Sequence, residues 1–219
     1  MNDASYVVNR PDLPQQLAAA LERGVRFSDA SLRRLEPELS YGRHLDPPPR
    51  DVRPAAVAML IYRVDDAWHI PFVMRPSKMR HHAGQVAFPG GQVDRGESTA
   101  EAALRELEEE LGLLRSKPSL IGPLSPINLF VTNFLVHPWV IMLDHRPEFS
   151  PCADEVAEVL DPPLAHLVNP RNVEAMKQSR NGVEVTAPCI RWRDHRIWGA
   201  TAILLGQLLD VLNSLGEGP

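Results

Sequence analysis

Cysteine is scarce: Cys152 and Cys189 are the two present, far apart in a chain of 219 residues. Two such residues cannot build a disulfide framework or a cysteine zinc site, and they suit small, partly buried side chains in a reducing compartment. Basic residues are not in excess either. Lys and Arg number 23 against 28 Asp and Glu, the net charge is −5 and the pI is near 5.9. No electrostatic footprint for a nucleic-acid partner follows from that balance. Long hydrophobic runs are also missing. The stretch "GATAILLGQLLDVL" is interrupted by Gln207 and Asp210 and falls short of a bilayer span. The opening "MNDASYVVNRPDLP" lacks the apolar core of a secretory signal. A cytoplasmic protein without a membrane partner is therefore expected. Internal repeats and low-complexity tracts are absent as well.

What is present is ordinary for a globular chain, with 44% hydrophobic and 23% charged residues, and the length suits one well-filled domain with an appendage. Residues 1–50 read as a helical extension. "PQQLAAALERG" has a helical apolar pattern ending at Gly24, and "SDASLRRLEP" offers a second short helix begun by Ser28 or Asp29. The proline-rich "LDPPPRDVRP" then stops any helix. The extension is expected to pack on the domain or on a partner subunit, the second arrangement making a homodimer; a solvated helical arm is its other reading.

Residues 51–219 read as the main domain. "AAVAMLIYR" and "HIPFVMR" flank a hairpin turn at Asp65 and Asp66, and "QVAF" is a short strand. A helix is predicted over Ser98–Leu111. "SLIGPLSPINLFVT" and "NFLVHPWVIML" are β-rich runs with Asn133 between them. "DEVAEVLDPPLAHLV" predicts a strand and a short helix, and "GVEVTAP" with "CIRWRDHRIW" a final hairpin. An amphipathic helix closes the chain at 199–214. Grouped strands with intervening helices argue α+β or mixed α/β, a sheet covered by helices.

The stretch "FPGGQVDRGESTAEAALRELEEELGL" poses the main question, because Glu106, Glu108, Glu109 and Glu110 crowd one helix. Like charges at i,i+4, such as Glu106 and Glu110, weaken a helix. Ser98 and Glu101 form a capping box that starts this helix, and Ala100, Ala103, Leu104, Leu107 and Leu111 supply its apolar stripe. Glu106, Glu109 and Glu110 fall together on another face, while Glu108 points away into solvent. Read alone, "RELEEE" also fits a solvated helix face. A hard divalent cation with oxygen ligands, Mg²⁺ or Mn²⁺, makes the crowding tolerable. The flexible backbone of Gly90 and Gly91 can approach the same place.

The spacing runs Gly91, five residues, Glu97, seven residues, then Arg105-Glu106-Leu107-x-Glu109-Glu110-x-Gly112-Leu113. It resembles the Nudix box at every specified position. The resemblance implies a Nudix-type α/β/α sandwich with a mixed sheet, the box forming a loop–helix–loop, and hydrolysis of a nucleoside diphosphate linked to another group. It also implies Glu106 and Glu110 as metal ligands, Glu109 as a ligand or base, and a structural ion pair between Glu97 and Arg105, with Gly112 closing the box. Some branches add a glutamate from a later loop. Glu155 is the candidate here, ahead of Glu148 and Glu158. The metal neutralises pyrophosphate charge and lowers the pKa of bound water, and a nearby carboxylate takes the proton.

Upstream, "RPSKMRHHAGQVAFPGG" resembles the motif of the coenzyme A pyrophosphatase branch, with Arg75, Arg80, Gly84 and Phe88 to Gly91 in place. It departs from that motif at Pro76 and at "PFV". "RIWGATAILLGQLL" is similar to the same branch. The resemblance implies cleavage of coenzyme A or acyl-CoA to (acyl-)4′-phosphopantetheine and adenosine 3′,5′-bisphosphate. Coenzyme A carries a 3′-phosphate beside its pyrophosphate, and guanidiniums such as Arg75 and Arg80 bind phosphate bidentately; surface ion pairs are their other reading. His81 and His82 either touch phosphate or are plain loop histidines. Trp139, Trp192 and Trp198 either line a pantetheine or adenine pocket or pack in the core. Two alternatives stand beside this reading: a Nudix hydrolase of ADP-ribose, dinucleotides or nucleoside triphosphates, and a non-catalytic nucleotide-binding module.

Overall fold

The computed structural model describes residues 8–24, 34–40, 43–78, 84–113, 117–180 and 183–216. In chain order the elements begin with helix α1 (Leu13–Glu22) and strands β1 (Arg53–Val64), β2 (Ala67–His69), β3 (Phe72–Met74), β4 (Val86–Ala87) and β5 (Gly90–Gln92). Helix α2 (Thr99–Leu111), β6 (Ser119–Pro123), β7 (Ile127–Leu129), β8 (Phe134–Leu143), β9 (Glu158–Leu160) and α3 (Leu164–Val168) follow. The order closes with β10 (Val173–Arg180), β11 (Val183–Trp192), β12 (His195–Trp198) and α4 (Ala200–Ser214).

Strand β1 organises the molecule. Side chains alternate across a strand, and here both parities are buried. Ala56, Ala58, Leu60 and Tyr62 enter one apolar cluster, while Ala55, Met59 and Ile61 enter another. A run apolar at every position is what a strand covered on both faces requires. β1 pairs antiparallel with β2 and β5 and parallel with β8, and β8 adds β6 and β7 antiparallel. The sheet is therefore mixed. Helix α2 covers one face through Ala102, Ala103, Leu107 and Leu111. On the other face Leu13, Leu17 and Ala20 of α1 join Leu205, Leu208, Leu209 and Leu212 of α4. The result is an α/β/α sandwich. Two smaller antiparallel sheets, β4-β3-β9 and β10-β11-β12, flank it.

The β1–β2 hairpin turns at Asp65, whose φ of 51°, like the 55° of Asn133, is a left-handed conformation that Asp and Asn tolerate. β3 leaves that hairpin for the second sheet. The last hairpin differs from the expected one. "GVEVTAP" and "CIRW" are a single strand, β11, running through Pro188, and its first partner is β10, which the sequence pattern did not mark. Pro188 lies one residue beyond the last β12 pairing, Cys189 with Trp198, so the strand has an open side there that tolerates proline. Helix α4 is also not amphipathic in practice, since Ala202 through Leu209, Val211 and Leu212 are all buried. The helix expected from Ser28 or Asp29 falls mostly on residues outside those described. Among the described residues no helix is long and apolar enough to cross a membrane.

Candidate active site

The capping box forms as read from the sequence. Ser98 Oγ accepts from the Glu101 amide at 3.2 Å, and Glu101 Oε2 accepts from the Ser98 amide at 2.8 Å. α2 therefore starts at a defined residue, which sets the rotation of its glutamates. At the other end Gly112 adopts φ 66° and its amide donates to the Glu108 carbonyl at 2.8 Å. A side chain there is disfavoured twice, by the left-handed φ and by the backbone of Ser150.

The loop before α2 is tied to it by one guanidinium. Arg105 donates to Glu97 at 2.8 and 3.1 Å and to the Gln92 carbonyl at 3.0 Å. Its remaining nitrogen donates to Glu106 Oε1 and to Glu109 Oε2, each at 2.9 Å. Arg105 holds the Glu97 carboxyl below the usual carboxylate range, helped by the Asp94 amide.

The glutamates then part company. Glu110 is 2% exposed, the Glu106 side chain 13% and that of Glu109 54%. The three differ in depth: Glu109 stands at the exposed rim, sharing an Arg105 nitrogen with Glu106, and Glu106 and Glu110 form the inner pair. Glu108 is partly buried rather than fully solvated. Burial pushes the Glu110 carboxyl up to about 8, with Glu106 and Glu155 pushing the same way, and with Arg75 and the Gly90 amide opposing. Burial likewise raises Glu106, against Arg105 and with help from Glu109 and Glu155.

Gly91 packs directly on the Glu106 carboxylate, where a methyl group would collide with it, and Gly90 packs on the Ala56–Val57 backbone. The glycine pair thus lets the strand close on the cluster. On the opposite side the segment after β8 docks on the last turn of α2. The Ser150 amide donates to the Leu111 carbonyl at 2.8 Å and the Cys152 amide to the Glu110 carbonyl at 3.0 Å. Glu155, whose amide donates to the Cys152 carbonyl, is thereby brought where its charge acts on both Glu106 and Glu110. Sequence offers no signal for this docking, because backbone groups make it. Glu155 and Glu148 are both exposed, but Glu155 is the one whose charge acts on Glu106 and Glu110, and Glu158 pairs with His195 at 3.4 Å.

Arg75, one residue past β3, acts with its charge on Glu110, and its Nε is buried without a hydrogen-bond partner. Backbone bonds at 3.0 Å from Arg75 to Gln85 and from Gly84 to Arg75 close the loop that follows it. Arg80, His81 and His82 lie outside the described residues. Trp139 Nε1 donates to Thr99 Oγ1 at the start of α2 at 3.1 Å, and the Trp192 ring meets His166 edge-on at 4.7 Å. An open groove of about 670 Å³ beside the β1–β2 hairpin contains none of the glutamates.

The inner pair suits a hard cation. Its donors are carboxylate oxygens, and Glu110 Oε2 is buried with no hydrogen-bond partner. Among the described residues no three acidic, histidine or cysteine side chains form a ready-made cage. Mg²⁺ does not need one, since it keeps water and substrate phosphates among its ligands.

A NUDIX domain model matches residues 52–178, more than half of the chain. The chain belongs to the Nudix family. Its α/β/α sandwich and box are the family's, and the enzyme is a Nudix hydrolase of pyrophosphate bonds in nucleotide derivatives. It is similar to the uncharacterized Nudix hydrolase NudL of Photorhabdus laumondii, 35% identical over 135 residues, covering 61% of this chain and 72% of the relative. It is 36% identical over 141 residues to the NudL of Pectobacterium atrosepticum, covering 61% and 70%. Among solved structures, a MutT/nudix family protein from Enterococcus faecalis superposes with a TM-score of 0.48 at 19% identity, over 86% of this chain and 76% of that one.

Proposed function

We propose that this Nudix hydrolase cleaves the pyrophosphate of coenzyme A or its thioesters, releasing (acyl-)4′-phosphopantetheine and adenosine 3′,5′-bisphosphate. The observation that carries this reading is Arg75. It belongs to the segment that resembles the coenzyme A pyrophosphatase branch, and it presents a buried, unpartnered Nε beside Glu110. A guanidinium donor held out of water next to the carboxylate pair matches a pyrophosphate oxygen.

Glu106 and Glu110 would hold Mg²⁺ or Mn²⁺. When bound, the cation neutralises pyrophosphate charge and makes water a stronger nucleophile. Glu155 takes the proton of the attacking water at its carboxylate. It is preferred for that role over Glu109, one of whose oxygens is engaged by Arg105 at 2.9 Å. Arg105 and Glu97 keep the loop and helix in register, Gly90 orients Glu110 through its amide, and Gly91 leaves room for Glu106. Arg80 is a second candidate for the substrate phosphates.

The deciding experiment incubates the enzyme with coenzyme A and Mg²⁺ or Mn²⁺, beside Glu110→Gln, and separates the products. Adenosine 3′,5′-bisphosphate is expected from wild type alone. A folded wild type that leaves coenzyme A and acyl-CoA intact while cleaving ADP-ribose, NADH or a nucleoside triphosphate sinks the substrate reading. Tight nucleotide binding without any product favours the non-catalytic module.

A further inference from the structure

The turn between β11 and β12 concentrates positive charge in a chain whose net charge is −5. Arg191, Arg193 and Arg196 are all exposed there. Arg191 and Arg196 are direct partners across the ladder, and like charges so placed repel. Among the described residues compensation is thin. Glu174 stands 3.7 Å from Arg191, with the two side chains 44% and 61% exposed, and Arg193 lies 5.3 Å from the centre of the Trp192 ring. Arg193 also holds φ at 53°, a left-handed conformation rarely adopted by a long side chain. A hollow of about 190 Å³ opens among Arg191, Arg193, Asp194, His195 and Arg196.

A chain of contacts leads from this turn toward the glutamate site. His195 Nε2 is 3.4 Å from Glu158 Oε2. Glu158 is the Cα partner of Met74, the residue before Arg75, and the Ala157 amide donates to the Met74 carbonyl at 2.8 Å. The hairpin therefore meets the strand whose lead-in carries Glu155, one strand away from the chain that carries Arg75.

We propose that the β11–β12 turn is a phosphomonoester subsite, taking a substrate phosphate separate from the pyrophosphate under attack. The inference rests on the coenzyme A reading, in which that group is the 3′-phosphate. Arg75 stands beside Glu110 at the cleavage centre, and a second phosphate on the same nucleotide calls for cations beyond it; Arg80 lies outside the described residues, and this turn supplies three exposed guanidiniums. Planar guanidiniums pair bidentately with phosphate oxygens, and a dianion between Arg191 and Arg196 converts their repulsion into shared attraction. Asp194 is the carboxylate in the lining that opposes an anion, which directs the phosphate to the arginine side.

The test is calorimetric titration of adenosine 3′,5′-bisphosphate and of 5′-AMP into wild type, Arg191→Gln/Arg196→Gln and Arg193→Ser, each checked for folding by circular dichroism. Wild type is expected to bind the bisphosphate about tenfold or more tightly than 5′-AMP, the size of one charge-assisted contact. The double variant is expected to lose most of that ratio and Arg193→Ser part of it, which keeps the test open if the double variant misfolds. A wild type with no preference, or a preference unchanged in the folded variants, overturns the proposal. Coenzyme A hydrolysis is followed in the same preparations. Loss of turnover there by wild type defeats the substrate reading, while the binding ratio still decides the subsite.

Discussion

Glu110 shows what burying an acid for function costs. Its carboxyl sits at about 8 against an ordinary value of 4.5, chiefly through desolvation. The folded, metal-free chain therefore binds that proton more tightly than the unfolded chain does. The stability gained is complete below about 4.5 and is lost as pH rises through about 8, on the order of a few kcal/mol. With chelator present, the melting temperature is expected to fall between those values, and Glu110→Gln is expected to flatten the decline. The same substitution is expected to lower turnover by about ten- to a hundredfold. A stabilised, inactive variant separates function from fold, and a variant equally pH-sensitive removes Glu110 from the account. The two glycines beside it make a second contrast. A methyl at Gly91 meets the movable end of Glu106, so Gly91→Ala is expected to fold and to lose about a hundredfold in kcat/KM. A methyl at Gly90 meets the Ala56 carbonyl and the Val57 backbone, so Gly90→Ala is expected to lower stability by about 1–3 kcal/mol in thermal melts.

Helix α2 carries the site because both its ends are specified. The capping box was legible in the spacing of Ser98 and Glu101, and so was the stop at Gly112. Ser98→Ala removes the acceptor for the Glu101 amide and is expected to cost about 1 kcal/mol by denaturant titration. Between the ends, helical periodicity grouped Glu106, Glu109 and Glu110 correctly by angle. Periodicity cannot say how deep each one sits. Arg105, one guanidinium serving Glu97, Glu106, Glu109 and the Gln92 carbonyl, ties the exposed Glu109 and the more buried Glu106 through one nitrogen. β11 failed in the reading for a related reason. Pro188 looks like a stop in the sequence, and only its position beyond the last β12 pair makes it harmless.

Across the whole molecule, α1 belongs to the same apolar cluster as the β1 and α4 residues on that face of the sheet, and Trp68 Nε1 donates to the Arg10 carbonyl at 2.9 Å. Leu17 is fully buried there. Leu17→Ala is therefore expected to destabilise the protein by about 2–5 kcal/mol without changing KM, since the glutamates lie on α2, across the sheet. Unchanged melting would mean that α1 contributes nothing to the core. The amino-acid sequence by itself determined the box, the ends of its helix and a β1 apolar on both faces, because capping, periodicity and left-handed glycine are local physics. Tertiary structure decided which glutamates go under cover, how Glu155 arrives through backbone bonds to the last turn of α2, and that Arg75 turns inward to Glu110. These depend on distances between segments far apart in the chain, and no pattern within one segment carries them.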